Sequence, residues 1–509
     1  MLTTVYSSCI KGVQGHPVQV EVDVTNGLPT FALVGLPDAA VKESKDRVYS
    51  AIKNVGYPFP MQRITINLAP ADIKKEGPIY DLPIALGLLQ SCKLLVPTFD
   101  LKKHMFIGEL SLSGNIGAVR GILPMVLCAR DQGFSHIVVP RENASEASMV
   151  KGIKVLAMAH LSEVADYLLG SFHPIPVSDT GRILLNRQPD PSGDFADVQG
   201  HHQVKRGLEV AAAGFHNVLM IGPPGSGKTM LAKQFPTILP PLTMEEALEV
   251  TKLHSIAGAL PLGTLMTQRP FRSPHHTITK SGLAGGGAVP RPGEITLAHL
   301  GVLFLDEMSE FNRACLEILR QPLEDKCIHL TRGNIQTTFP SFFLLIGSIN
   351  PCPCGYFGDE IHPCTCTDRQ RHQYRQKISG PLLDRMDIQM EVRSMDYEDM
   401  VQKKSVPDSS TIRKKVEVAR QIQLDRFSKE SYGYNALIPA GDIDRFCSAS
   451  PSATHLLEIA FRRFKMSGRS YHRLLRMART IADLDGSHRI EEGHMAQSLQ
   501  YRRMDRELL

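Results

Sequence analysis

An apolar run, Val218-Leu219-Met220-Ile221, feeds directly into Gly222-Pro223-Pro224-Gly225-Ser226-Gly227-Lys228-Thr229. The spacing demands a strand that stops abruptly, a loop whose N–H groups turn inward, and a helix that opens at once. Gly222, Gly225 and Gly227 permit that turn, with Pro223, Pro224 and Ser226 between them. Lys228 supplies a point charge for outer phosphates, and Thr229 offers a hydroxyl to Mg²⁺. The helix opened by Met230 to Phe235 aims its positive end at the same anion. The stretch predicts an α/β fold that binds a nucleoside triphosphate, ATP with Mg²⁺.

A second apolar run, Gly301-Val302-Leu303-Phe304-Leu305, ends in Asp306-Glu307. Such a run reads as a buried strand delivering two carboxylates to the sheet edge where ligands bind. Asp306 is expected to hold Mg²⁺ through water and Glu307 to act as general base on the attacking water.

The 509 residues predict two to four domains, and 42% hydrophobic with 21% charged residues is ordinary for a soluble protein. No stretch approaches the ~18 uninterrupted apolar residues of a membrane span. The first residues, Met-Leu-Thr-Thr-Val-Tyr-Ser-Ser-Cys-Ile, lack the features of a secretory signal. With ten cysteines, the expected setting is the reducing cytoplasm. A net charge of +5 does not by itself argue for nucleic acid. The distribution is more telling, because Arg462 to Arg479 holds seven basic residues and no acidic one.

Residues 1–172 read as a compact α/β domain. Val18, Val20, Val22 and Val24 alternate with polar residues at strand period. Further strands are expected at Thr30 to Gly35, Arg63 to Leu68 and 136–139, and helices before Asn54, at Asp81 to Ser91, 121–132 and 161–169. Met105 to Val119 reads as a hairpin turning at Ser113-Gly114-Asn115. The element order, Lys75-Glu76-Gly77-Pro78 and the Gly117 to Pro140 segment resemble the Lon-type protease domain. That family carries a Ser just after the Gly-Pro and a Lys in the later segment. Here Ile79-Tyr80 and Gly117-Ala118-Val119-Arg120-Gly121-Ile122 stand there, so the Ser–Lys dyad is missing. The proline-rich residues 173–193 read as a linker to a motor domain at 194–395, followed by a helical domain at 396–509.

Two further segments resemble AAA+ ATPases. A strand from Phe342 to Ile349 ends in Asn350, which on that resemblance reads the γ-phosphate. Ser379-Gly380-Pro381-Leu382-Leu383-Asp384-Arg385-Met386-Asp387 resembles the arginine-finger segment of the magnesium-chelatase and MCM branch. The resemblance implies that Arg385 reaches a neighbouring subunit's nucleotide, and hence a ring; a local pair with Asp384 or Asp387 is the alternative. In the helical lid, Arg469 matches the sensor-two arginine, with Arg473 and Arg476 as alternatives and a basic solvated face as the plainer reading.

Between the nucleotide motifs, the prolines and glycines from Arg269 to Glu294 predict a shaped loop or hairpin without regular helix. His275 and His276 within it are expected to point to opposite faces and to hydrogen-bond rather than bind metal. Cys327 to Phe339 flanks the hairpin turn Thr331-Arg332-Gly333-Asn334. MCM-type motors place such a hairpin against DNA, which makes Lys280 and Arg332 candidate phosphate contacts; solvated loop charges are the other reading.

Cys352-Pro353-Cys354 and Cys364-Thr365-Cys366 form two Cys-x-Cys pairs. Four thiolates suit a tetrahedral structural Zn²⁺, with reduced loop thiols as the alternative.

Taken with Asn350-Pro351-Cys352-Pro353-Cys354-Gly355, the order of parts resembles the ComM/YifB family. The resemblance implies a cytoplasmic, hexameric ATPase with no membrane partner. It would act as a helicase on single-stranded and branched DNA, promoting branch migration and integration in natural transformation. A chelatase-type remodeller acting on a protein partner is the alternative.

Overall fold

A computed structural model describes every residue except 1, 178–192, 262–263, 288–289, 333–334, 360–361, 395–406 and 503–509. Two compact units emerge. The first holds Met1–Gln188 together with Thr243–Thr267 and Thr331–Phe339; the second holds Pro189–Leu242, Gln268–Leu330 and Pro340–Leu509.

The first unit is built on β1 (Leu2–Lys11), β2 (Gln14–Thr25), β3 (Thr30–Val34), β4 (Arg63–Ala69), β5 (His104–Phe106), β6 (Glu109–Leu110), β7 (Ile116–Gly117), β8 (His136–Pro140) and β9 (Lys154–Met158). Seven of these strands pair in the order β3-β4-β2-β1-β5-β8-β9. The β1–β2 and β2–β4 pairs are antiparallel, and the rest are parallel. The period-two pattern of β2 works as expected, with Val18, Val20 and Val22 fully buried. Helix Asp81–Ser91 crosses this face closely: a Cβ at Gly87 would fall 2.6 Å from Val22 Cγ2. The expected hairpin forms as β6–β7, with Ser111 to Asn115 as its turn.

At the position where a Lon-type nucleophile would sit, Ile79 and Tyr80 are both buried. They belong to a single 3₁₀ turn, Pro78–Tyr80, that leads into helix Asp81–Ser91.

Helix Met244–Ala257 belongs to the first unit although it follows the phosphate loop in sequence. A capping box starts it, the Thr243 side chain accepting from Glu246 N and the Glu246 carboxylate from Thr243 N. Leu248 packs on the first unit's core, and Ser255 Oγ donates to Glu146 over 2.9 Å. Burial raises the Glu146 carboxyl above its usual range, against that hydrogen bond.

The second unit contains β10 (Val218–Ile221), β11 (Phe271–Arg272), β12 (Gly285–Gly286), β13 (Arg291–Pro292), β14 (Val302–Leu305), β17 (Leu344–Ile349) and β18 (Ile388–Glu391). Strands β15 (Cys327–Arg332) and β16 (Ile335–Pro340) pair as a separate ribbon, of which Thr331–Phe339 is counted in the first unit. The main sheet runs β11-β14-β17-β10-β18, all parallel. Every residue of β10 and β14 is buried, as a parallel sheet covered on both faces requires. Apolar clusters lie on either side, one around Phe235, Phe304 and Ile346, the other around Leu219, Leu303 and Leu345. The carboxyl-terminal helices are Ser409–Arg426, Ile443–Phe446, Pro451–Arg463, Gly468–Leu484 and Glu492–Gln500.

Three local expectations are corrected. The Gly/Pro-rich insertion carries single-turn helices, Lys280–Ala284 and Glu294–Leu297, because Thr279 caps the first and a β12–β13 ribbon absorbs the glycines. His275 and His276 belong to a turn closed by Ile278 N donating to His275 O rather than to a strand, and their rings meet at 4.1 Å between centroids. His275 Nδ1 does hydrogen-bond, to Thr277 Oγ1 at 2.9 Å. The arginines of helix Gly468–Leu484 are not all a solvated face, since Arg473 and Arg479 are buried in ion pairs with Asp387 and Asp483.

Candidate nucleotide site

Strand β10 ends where Gly222 begins, and a Cβ there would fall 2.0 Å from the carbonyl oxygen of Val392 beyond β18. Glycine is therefore required by the neighbouring strand as well as by the turn. Gly225 and Gly227 hold φ values of +78° and +86°, the left-handed region that suits glycine. Helix Lys228–Gln234 starts immediately after.

Lys228 is 8% exposed and lies back along the loop, donating to the carbonyl oxygens of Gly222 and Pro223, each at 2.7 Å. Its ammonium also approaches Asn350 Oδ1 at 3.4 Å. Burial pushes the ammonium pKa down to about 8, while Asp306 and Glu307 pull it back up. Thr229 Oγ1 donates to Asp306 Oδ2 over 2.8 Å. Ser226 Oγ is buried without a hydrogen-bond partner, the orphan expected of a group shaped for phosphate oxygens.

Sheet order explains these meetings. Strand β17 lies between β10 and β14, so the carboxyl ends carrying Asn350, the phosphate loop and Asp306 are adjacent. Ser348, not singled out in the sequence, belongs here too. Its hydroxyl donates to Asp306 Oδ1 and accepts from Glu307 N at 3.0 Å. The available signal was its spacing: Ser348 and Asn350 are two residues apart, on one face of a strand. Glu307 adopts φ +50°, uncommon outside glycine, and its side chain is exposed beyond the bound carboxylate of Asp306.

Arg385 and Arg469 meet elsewhere. Arg385 donates to Pro381 O at 2.7 Å and to the Glu324 carboxylate, so its partners are not Asp384 or Asp387. Arg469 is exposed and reaches the same Glu324 at 4.0 Å. Arg473 is committed to Asp387 at 3.1 Å. Lys280 is exposed at the start of its helix. The side chain of Arg332, like residues 333–334, lies outside the described residues.

Cys352, Cys354, Cys364 and Cys366 converge, with their four sulfurs all within 4.8 Å of one another. Among the described residues no helix is long and apolar enough to cross a membrane.

A family model described as magnesium chelatase, subunit ChlI, matches residues 194–400, and a model of that subunit's C-terminal part matches 407–502. A further ChlI model matches residues 20–143. YifB of Escherichia coli (strain K12) is 41% identical across 100% of this chain and 98% of its own length. The chain belongs to the ComM/YifB family of magnesium-chelatase-like AAA+ ATPases. Another ComM/YifB relative, competence protein ComM of Haemophilus influenzae, is 40% identical over 99% of this chain and 98% of its own. A stretch equal to 34% of the chain is 25% identical to a Lon protease of Leptospira interrogans, covering 19% of that protein.

Proposed function

We propose that this ATPase is a ring-shaped DNA motor that promotes branch migration and integration of single-stranded DNA in homologous recombination, as in natural transformation. The observation carrying the catalytic half is the convergence of Lys228, Thr229, Asp306 and Asn350 at the ends of β10, β14 and β17. Lys228 binds and neutralises the outer phosphates, exchanging its two carbonyl acceptors for phosphate oxygens. Thr229 and Asp306, already hydrogen-bonded, are the residues that would hold Mg²⁺, which would supply charge neutralisation to the phosphates. Glu307 takes the proton of the attacking water at its carboxylate, and Asn350 orients the γ-phosphate. Arg385 completes the neighbouring subunit's site in a homo-oligomer, expected as a hexamer, and Arg469 acts as sensor two.

The name of the Haemophilus influenzae relative, a competence protein, supports DNA as the load. Exposed Lys280 and the β15–β16 ribbon bearing Arg332 are the proposed backbone-phosphate contacts. The first unit, with Ile79 and Tyr80 buried at the nucleophile position, is assigned no peptidase activity. The four cysteines are assigned a structural Zn²⁺, and the protein a cytoplasmic location.

The test is ATP hydrolysis with and without single-stranded DNA, alongside unwinding of a forked substrate. Stimulated hydrolysis and strand separation are expected. DNA that neither binds nor stimulates would shift the reading to a chelatase-type remodeller of a protein partner, a reading compatible with the magnesium-chelatase family description.

A further inference from the structure

The cysteine cluster has the dimensions of a metal centre. Cys352 Sγ lies 3.3 Å from Cys354 Sγ and 3.7 Å from Cys364 Sγ, and Cys354 Sγ lies 3.6 Å from Cys364 Sγ. Zinc–sulfur bonds of about 2.3 Å in a tetrahedron set sulfurs about 3.8 Å apart, so the cluster needs little change to close on an ion. The surroundings suit thiolates. Cys354 N donates to Cys366 Sγ at 3.3 Å and Cys366 N to Cys364 Sγ at 3.4 Å, while the Arg371 guanidinium approaches Cys364 Sγ at 3.9 Å. Donors of this kind orient ligands and offset the net negative charge of four thiolates on a dication.

The placement of the cluster is as informative as its shape. Cys352 follows two residues after Asn350, whose side chain meets Lys228. Gly355, at φ +90°, is backed against the phosphate loop so tightly that a Cβ would fall 2.6 Å from Pro224 Cδ. Beyond Cys366, Thr367 caps helix Asp368–Arg375, which carries Tyr374. The Tyr374 hydroxyl is 2.5 Å from Ser309 Oγ, and Lys377 reaches Glu310 at 3.1 Å. Ser309 and Glu310 lie just after the Asp306-Glu307 pair. The cysteine segment thus abuts the phosphate loop at one end and the carboxylate segment at the other. Its described residues between Cys352 and Cys366 form no helix or strand, and Tyr356 and Phe357 are not buried. A segment with so little apolar burial has no core of its own to fix its shape; a metal crosslink would.

We propose that Cys352, Cys354, Cys364 and Cys366 bind one Zn²⁺ per chain and that this centre braces the nucleotide site, so that metal occupancy sets nucleotide affinity. The inference rests on reading Gly222 to Thr229 as a triphosphate site. In that arrangement Gly355 and Tyr374 are positioning residues: the metal fixes them, and they fix Pro224 and Ser309.

The experiment uses the full-length chain, measuring metal content by elemental analysis and affinity for a fluorescent ATP analogue. The wild type is expected to carry close to one zinc per chain and to bind the analogue. The double variant Cys354→Ser, Cys366→Ser is expected to lose the zinc and to bind at least tenfold more weakly. Gly355→Ala keeps all four thiols while its new Cβ pushes on Pro224; it is expected to retain zinc yet also bind nucleotide more weakly. A wild type with iron or no metal overturns the zinc assignment. A metal-free variant with wild-type affinity overturns the brace. If the double variant does not fold, Gly355→Ala decides, because a zinc-loaded form with undiminished affinity overturns the brace as well. A zinc-loaded wild type that binds no nucleotide refutes instead the assignment of the phosphate loop.

Discussion

Arg385 donates to the carboxylate of Glu324, the same group that Arg469 approaches at 4.0 Å. Neither arginine has a described contact with Lys228, Thr229 or Asp306. Both side chains meet at Glu324, and the proposed role of Arg385 at a neighbouring subunit's nucleotide requires it to exchange that carboxylate for phosphate oxygens.

Arg385→Ala is therefore expected to bind ATP normally and hydrolyse it about 10³- to 10⁵-fold more slowly. Mixing it with Lys228→Ala gives the decisive measurement. Each variant is inactive alone, whereas mixed rings contain interfaces with an intact Lys228 on one side and Arg385 on the other. Recovery of turnover supports completion in trans; a mixture as inactive as its components argues against it.

Glu307→Gln should leave nucleotide binding intact and slow hydrolysis by about 10²- to 10⁴-fold, the contribution of a positioned general base. Single-turnover hydrolysis is the measurement. Because Asp306 is held by Thr229 and Ser348 independently of the Glu307 side chain, the fold should be unaffected.

Nucleotide affinity should depend on pH through Lys228. Burial lowers its free-state pKa to about 8, and phosphate binding selects the charged ammonium. Binding therefore takes up a proton once the pH exceeds 8, and affinity should fall by about tenfold per pH unit above it. Lys228→Arg, charged throughout that range, should flatten the profile. Titration of the nucleotide from pH 7 to pH 9.5 reads both.

Asp387 sets an acid limit on the second unit. Burial acts to raise its pKa, but His216, Arg473 and Arg502 together hold it below the usual carboxylate value. A depressed folded pKa contributes stability that is present above the unfolded value near 3.9 and is lost as pH falls through the folded one. Unfolding midpoints should therefore drop in acid, and Asp387→Asn should remove that share of the pH dependence.

Asp483 gathers Arg426, Arg479 and Asn435 in the buried centre of the carboxyl-terminal helices. Asp483→Ala leaves the buried Arg479 and the half-buried Arg426 guanidinium groups without their counter-ion and should cost about 3–5 kcal/mol. Urea denaturation gives the value; a loss under 1 kcal/mol would mean that water replaces the carboxylate.

Legibility from the sequence followed chemistry that is local in the chain. The phosphate loop, the Asp306-Glu307 strand end and the β2 alternation each state their geometry within a dozen residues, and each formed where expected. Strand β1 was missed because its buried face includes Ser7 and Ser8 rather than an apolar alternation. Its central place between β2 and β5 depends on partners far along the chain. Strand β9 is a short apolar run that periodicity alone does not assign. The commitment of Arg473 to Asp387 was illegible for a related reason. Residues that neutralise each other from separate elements leave no spacing to read, so a buried ion pair passed for a basic surface.

Helix Met244–Ala257 has a practical consequence for anyone cutting this chain. It sits inside the ATPase sequence, yet Leu248 and Ser255 complete the packing of the first unit. Shortening the protein at residue 172 or 188 would not excise a module. It would separate Leu248 from the core on which it packs and Ser255 from Glu146. A boundary drawn at residue 172 or 188 therefore leaves part of the first unit behind.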